Sequence, residues 1–229
     1  MQEDGHRVWG LVVYRCTYGS DADWAEFMTR LRTTIDGTLE FDNGLDLLDS
    51  LRLTVFEDRD TLDGASTMVV RGKFREWAET AAQQEQGTGA ALSQRYRFCV
   101  MVDGAALESV LRNDLYSENA FFKLVYGAWD PSQQDEVDGY EDEDDEELEE
   151  DGLEPLEGCI LDDIGWMRVS FDNMVRIYCF MRGSDAWIIN YFRPPQIMNS
   201  QAVTIHKSYF RSSCLDISVY CDLCYLLLP

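Results

Sequence analysis

The chain has 229 residues, of which 45% are hydrophobic and 12% aromatic, and it carries a formal charge of −24. A chain of this size buries roughly 70% of the surface its unfolded form exposes, so it can build a core without disulfide or metal staples. The acidic balance excludes binding along a nucleic-acid backbone, which needs lysines and arginines to release counterions, and it excludes an anionic membrane surface.

Taken in order, residues 7–18 (RVWGLVVYRCTY) read as a buried strand: short, apolar and rich in aromatics. Residues 20–35 read as a helix. Ser20 stands at the N-cap, Asp21, Asp23 and Glu26 fall in the first turns, and Trp24, Phe27, Met28, Leu31 and Ile35 recur at three- and four-residue steps. Residues 51–56 alternate Leu51, Leu53 and Val55 against Arg52 and Thr54, the pattern of a second strand. Residues 64–84 carry the stripe Val70, Phe74, Trp77, Ala78 and Ala81 of a second helix, with Gly72 weakening its middle. A flexible connection over 85–94 leads to a third strand over 95–103, with Tyr96, Phe98, Val100 and Val102 on one face and Arg95 and Arg97 on the other. A short helix over 104–111, a strand over 120–129, a strand over 165–171, a helix over 172–183 and a strand over 185–192 complete the pass. Arg193, Pro194 and Pro195 stop that last strand, because proline cannot donate to a ladder.

From residue 95 onward the order is β-α-β, insert, β-α-β, which is the pattern of a ferredoxin-like βαββαβ element in the C-terminal half. The first half adds a further β-α-β-α. The expected fold is α+β: a mixed or antiparallel sheet covered by helices packed on one face. The expected organisation is a single domain over 7–195, an acidic disordered insert within it at 131–163, and an atypical tail over 196–229.

Most of the charge sits in one place. Residues 135–157 hold fifteen Asp or Glu and no Lys or Arg, and setting those fifteen aside takes the net charge from −24 to −9. Like charges repel, and little apolar content is present to offset the entropy of ordering, so a solvated insert is the first expectation. A docking arm for a basic protein partner is the second. Specific calcium binding fails on spacing: with Gly152 at the sixth position of an EF-hand loop, Gly158 rather than a glutamate falls twelfth.

The chemistry-bearing residues are sparse. His6 and His206 lie near opposite ends of the chain, which disfavours a His-based triad. The seven cysteines are irregularly spaced; Cys221 and Cys224 have CxxC spacing but no second such pair, so no metal site is expected. The N-terminal stretch has no secretory pattern, so reduced thiols and a cytoplasmic location are expected. No run approaches the roughly 18 apolar residues of a membrane span. No glycine-rich phosphate cradle is present, so no cofactor is expected.

Two constellations remain as candidate sites. Glu57, Asp58, Asp60 and Asp63 crowd around Arg59 at a strand-to-helix junction, where burial could split carboxyl pKa values for acid–base work; a capped surface turn is the alternative. Trp166, Arg168, Trp187, Tyr191 and Arg193 could line an aromatic groove with two cations, suited to a carboxylate or a planar ligand; core aromatics with rim arginines are the alternative. With Asp103 at the end of the third strand, the candidate ligand-binding residues are Arg59, Asp103, Trp166, Arg168, Tyr191 and Arg193.

The stretches VWGLVVYRCTYGSDADWAEF, TLDGASTMVVRGKFREW, RYRFCVMVDGAALESV and GWMRVSF followed by WIINYFRPP resemble a group of uncharacterised proteins from filamentous fungi. The resemblance covers residues 7–195. It implies an intracellular fungal protein and brings no known activity and no catalytic residues. Beyond Pro195 the chain departs from that pattern, and residues 199–229 hold three of the seven cysteines. The expected function is a binding module, with protein–protein interaction foremost. The alternative is a small cofactor-free enzyme, of cyclase or isomerase type, acting on a fungal metabolite.

Overall fold

A computed structural model describes residues 5–133 and 153–199. Six strands form one sheet: β1 (Val12–Arg15), β2 (Thr54–Phe56), β3 (Phe98–Val102), β4 (Phe121–Tyr126), β5 (Trp166–Ser170) and β6 (Ile197–Met198). Their spatial order is β2-β1-β3-β4-β5-β6. β2, β1 and β3 run parallel, β4 is antiparallel to both β3 and β5, and β6 is parallel to β5. The fold is α+β with a mixed sheet. The ferredoxin-like element is not what forms. A split βαβ unit interleaves another strand between its two strands, whereas β3, β4, β5 and β6 follow one another in chain order.

Helices cover both faces rather than one. On the first face lie α1 (Asp21–Phe41), α4 (Gly104–Arg112), α5 (Met174–Phe180) and α6 (Ala186–Asn190). Their Trp24, Phe27, Leu31, Val110, Met174 and Trp187 meet Val13, Val100, Leu124 and Met167 of the sheet. On the second face lie the short α2 (Arg59–Leu62) and α3 (Thr67–Gln86), whose Leu62, Val70 and Phe74 meet Val12, Tyr14, Met101, Val125 and Trp166. The strands are therefore nearly continuous apolar runs, as two-sided burial demands.

Local chemistry sets the element ends. Ser20 Oγ accepts from the Asp23 amide at 3.1 Å and caps α1; the helix runs past Ile35 to Phe41 because Leu39 continues the buried stripe. Ser66 caps α3 through the Val69 amide, and Gly87, in the left-handed region at φ 75°, ends it. Asp103 caps α4 through the Ala106 amide at 2.9 Å.

Three expectations are corrected. The stretch expected as a strand over 185–192 instead holds the helix α6 (Ala186–Asn190), because Ala186, Trp187 and Asn190 are the buried positions; that is helical spacing, and Asn190 Nδ2 donates to the Ala186 carbonyl at 2.8 Å. The prolines do not end the domain: the chain re-enters the sheet as β6, with Ile197 beside Arg168 and Met198 beside Val169. The third strand starts only at Phe98, because Gln94–Tyr96 form a 3₁₀ turn that sends Arg95 inward.

The C-terminal part of the expected insert is also packed. Residues 153–164 form a strap over the second face, with a bridge between Leu156 and Cys159. Its irregular backbone is held by side chains. Arg193 donates to the carbonyls of Leu161, Glu154 and Cys159, and Tyr191 Oη donates to that of Asp162 and accepts from the Ile164 amide. Arg71, buried in α3, donates to the Tyr126, Ile164 and Gly165 carbonyls. Gly165 (φ 72°) is required there, since a Cβ would stand 2.4 Å from the Trp129 ring. The acidic run 134–152 and the tail 200–229 lie outside the described residues. No helix among the described residues is long and apolar enough to cross a membrane.

Candidate functional site

The sheet order places β2 on one side of β1 and β3 on the other. The chain leaves β1 for α1 and β3 for α4, both on the first face, while α3 covers the second, and a cavity is left beyond the carboxyl ends of the two strands on the side of α3. A cleft of about 470 Å³ lies there. Cys16 and Thr17, just past β1, form one wall, and the glycine-containing loop 63–66 before α3 forms another. Asp103 and Gly104, at the head of α4, close a third side, with Lys123 on β4 and Glu157 on the strap.

Lys123 is the centre of the arrangement. It is 8% exposed, although it carries the one charge in the strand Phe121–Tyr126. Its Nζ lies 3.0 Å from Asp103 Oδ2 and 3.2 Å from Glu157 Oε1, and 4.2 Å from the centre of the Trp166 ring. A buried ammonium needs such partners, and here two carboxylates and an aromatic face supply them. Each carboxylate has a second task. Asp103 Oδ1 caps α4, while Glu157 Oε2 accepts from the Thr67 amide at 2.9 Å and from Thr67 Oγ1 at 2.7 Å at the head of α3.

Among the described residues, Cys16 is the only thiol lining the cleft, and it is 2% exposed. Burial first, and then the Asp103 charge, push its pKa up to about 12. Only the thiolate is nucleophilic, so near neutral pH Cys16 is a poor nucleophile. His6 is held elsewhere, its ring nitrogen 3.1 Å from the Gly89 carbonyl at the far end of α3. Among the described residues, no group of three or more His, Cys, Asp or Glu side chains is placed to hold a metal ion.

The candidate residues read from the sequence divide. Asp103 lines the cleft, and Trp166 lies buried beneath Lys123. Arg168 shares the sheet face of Lys123 but stacks over Phe121 at 4.6 Å and reaches the Pro195 carbonyl at 3.5 Å. Tyr191 and Arg193 fasten the strap. Trp187 lies on the first face, stacked on Tyr126 at 5.1 Å, so the sheet separates it from Trp166 and the expected aromatic groove does not form. Arg59 projects from α2 with its side chain 69% exposed, 3.8 Å from Asp63 and outside the cleft lining. The acidic cluster around it points apart: Glu57 accepts from Trp24 Nε1 at 2.7 Å, and Asp58 accepts from Thr61 Oγ1 at 2.5 Å.

Lys123, Glu157, Cys16 and Thr67 are the residues that sequence reasoning missed. Lys123 had a usable signal, as a lone charge within FFKLVY. Glu157 had none, since it is one of fifteen acids in residues 135–157. Comparison of the chain with protein-family models, with curated proteins and with solved structures gives no match.

Proposed function

We propose that this protein is a binding module whose ligand is a small polar molecule seated at the carboxyl ends of β1 and β3. One observation carries this reading: a buried lysine, held between two carboxylates, faces an open cleft at the point where the sheet order reverses. Purely structural charge pairs are usually sealed off, whereas convergent polar groups lining a concave site are what small-ligand recognition uses. The protonated Cys16 thiol and the distant His6 support binding over nucleophilic catalysis.

The fifteen acids of residues 135–157 support a second reading, a basic protein partner held by charge. Cys16, Cys99 and Cys159 are unbridged, which supports a reducing, cytoplasmic setting, as does the resemblance to fungal proteins.

Ligand-observed NMR with a library of neutral, cationic and anionic small molecules tests the cleft. Ala65→Trp fills the cleft from its lining and serves as the blocked control. At least one library member is expected to bind the wild type and not Ala65→Trp. Hits that bind both proteins equally, or no hits at all, refute the reading.

A further inference from the structure

The cleft already contains one carboxylate in a complete oxyanion seat, that of Glu157. Its two oxygens use three donors from two elements: Lys123 Nζ at 3.2 Å, the Thr67 amide at 2.9 Å and Thr67 Oγ1 at 2.7 Å. Two of these belong to the head of the 20-residue α3, and the third is an ammonium that is 8% exposed on a central strand. Such donors suit any small oxyanion.

The formal charges decide what else fits. Lys123 faces two carboxylates, a third, Asp63, lines the cleft with Arg59 3.8 Å away, and the heads of α3 and α4 each add roughly half a positive charge, so the cleft holds no surplus positive charge for an added anion. A charged ligand cannot simply be added to it. It must replace a group of its own sign.

Lys123, Asp103 and Glu157 differ in how firmly the fold holds them. Lys123 is fixed in β4, between β3 and β5. Asp103 is fixed as the cap of α4. Glu157 stands on an irregular strap, in the left-handed region at φ 50°, and is followed by Gly158 at φ 84°. A left-handed conformation is unfavourable for a residue with a Cβ. The carboxylate that costs least to move is therefore the one on the strap.

We propose that Glu157 is an internal occupant of a carboxylate-binding subsite, and that an exogenous carboxylate takes its place on Thr67 and Lys123 when ligand enters the cleft. This rests on the reading of the cleft as a ligand site. It adds the chemical class of the ligand and the element that yields to it.

The test uses the full chain and acetate as the probe. In Glu157→Ala the seat has lost its occupant, and acetate should raise the midpoint of thermal unfolding by roughly 3–5 °C at about tenfold its dissociation constant. In the wild type the tethered carboxylate competes at a high effective concentration, so at least about tenfold more acetate is needed for the same rise. Lys123→Met/Glu157→Ala should show no rise. Should Glu157→Ala fail to fold, Glu157→Gln replaces it; its neutral amide still accepts from Thr67 but gives Lys123 no charge partner, and acetate should raise its midpoint by a smaller amount.

An equal rise with chloride at matched ionic strength overturns the proposal, as does a rise with inorganic phosphate and none with acetate. If library ligands bind the wild-type cleft while acetate leaves the Glu157 variants unmoved, this inference falls and the cleft reading stands. If nothing binds in any of these proteins, both fall.

Discussion

Arg95 and Lys123 are both buried cations paired with carboxylates, and they stand at opposite ends of the same sheet. Arg95 is at the amino end. Its side chain has no exposure, and its five N–H donors reach Glu85 twice, at 2.7 and 2.8 Å, the Gly10 and Arg52 carbonyls, and Thr54 Oγ1. Tyr96 Oη donates to the same glutamate, and Gln86 Nε2 donates to Tyr96 Oη. Every one of these partners is on the 3₁₀ turn, on α3, or at the start of β1 and β2. Lys123, at the carboxyl end, has two carboxylate partners, a cleft beside it and one partner on a strap. A planar guanidinium with all donors used ties three strands and a helix into a closed knot. A point-charge ammonium with a partner that can leave makes an exchangeable site.

The largest expected effect breaks the closed knot. Arg95→Met leaves Glu85 without its cation, and losing one partner of a buried pair costs about 3–5 kcal/mol. Urea unfolding measures this; a loss below about 1 kcal/mol would place the knot among ordinary surface pairs. The same contact shapes the acid limb of stability. Burial alone would raise the Glu85 pKa, but the hydrogen bonds and charge of Arg95 outweigh it and hold it below the ordinary 4.5. The stability this contact contributes is therefore fully present above pH 4.5 and is lost as pH falls below that value toward the depressed pKa. Unfolding curves between pH 6 and 3 should show a steeper acid loss in the wild type than in Arg95→Met. Equal slopes would mean that Glu85 is not held by Arg95.

A smaller effect is expected at the open end. Lys123→Met leaves Asp103 and Glu157 adjacent without their shared cation, at a cost of about 1.5–3 kcal/mol, the range for hydrogen bonds to charged groups. The cost should stay below that of Arg95→Met because both carboxylates keep access to water through the cleft, with side chains 25% and 31% exposed. A cost equal to or larger than that of Arg95→Met, read from the same urea curves, would show that the two cations are alike and that the cleft is only packing. The smallest effect is at Arg59, a candidate site residue that the structure leaves at the surface. Arg59→Ala should change stability by no more than about 0.5 kcal/mol and leave ligand binding in the cleft unaltered. Loss of a cleft ligand in that variant would extend the site toward α2.

Much of the fold is legible in the chain. The stripe of α1, its Ser20 cap, the Ser66 head of α3 and the apolar runs of β1, β3, β4 and β5 are local patterns, set by side-chain spacing and by hydrogen bonds between residues three or four apart. Asp103 could be singled out because it stands where a strand hands over to a helix. Other features depend on partners far along the chain. Residues 186–190 are helical because Trp187 finds Phe98 and Tyr126, and no local pattern distinguishes that stretch from a strand. Tyr191 and Arg193 look like groove residues until the strap carbonyls they bind come into place, about 30 residues away in sequence.

The sequence by itself determined which segments are helix or strand where periodicity is long, where the charge is concentrated, and which chemistries lack their residues. Tertiary structure alone decided the strand order, and with it the crevice beyond β1 and β3. It alone chose Glu157 out of fifteen neighbouring acids, and it alone turned Arg95 inward and Arg59 outward. The physical reason is range. Caps and stripes are decided within a turn or two of the backbone, whereas the environment of a charge is decided by whichever distant elements the packed sheet brings beside it.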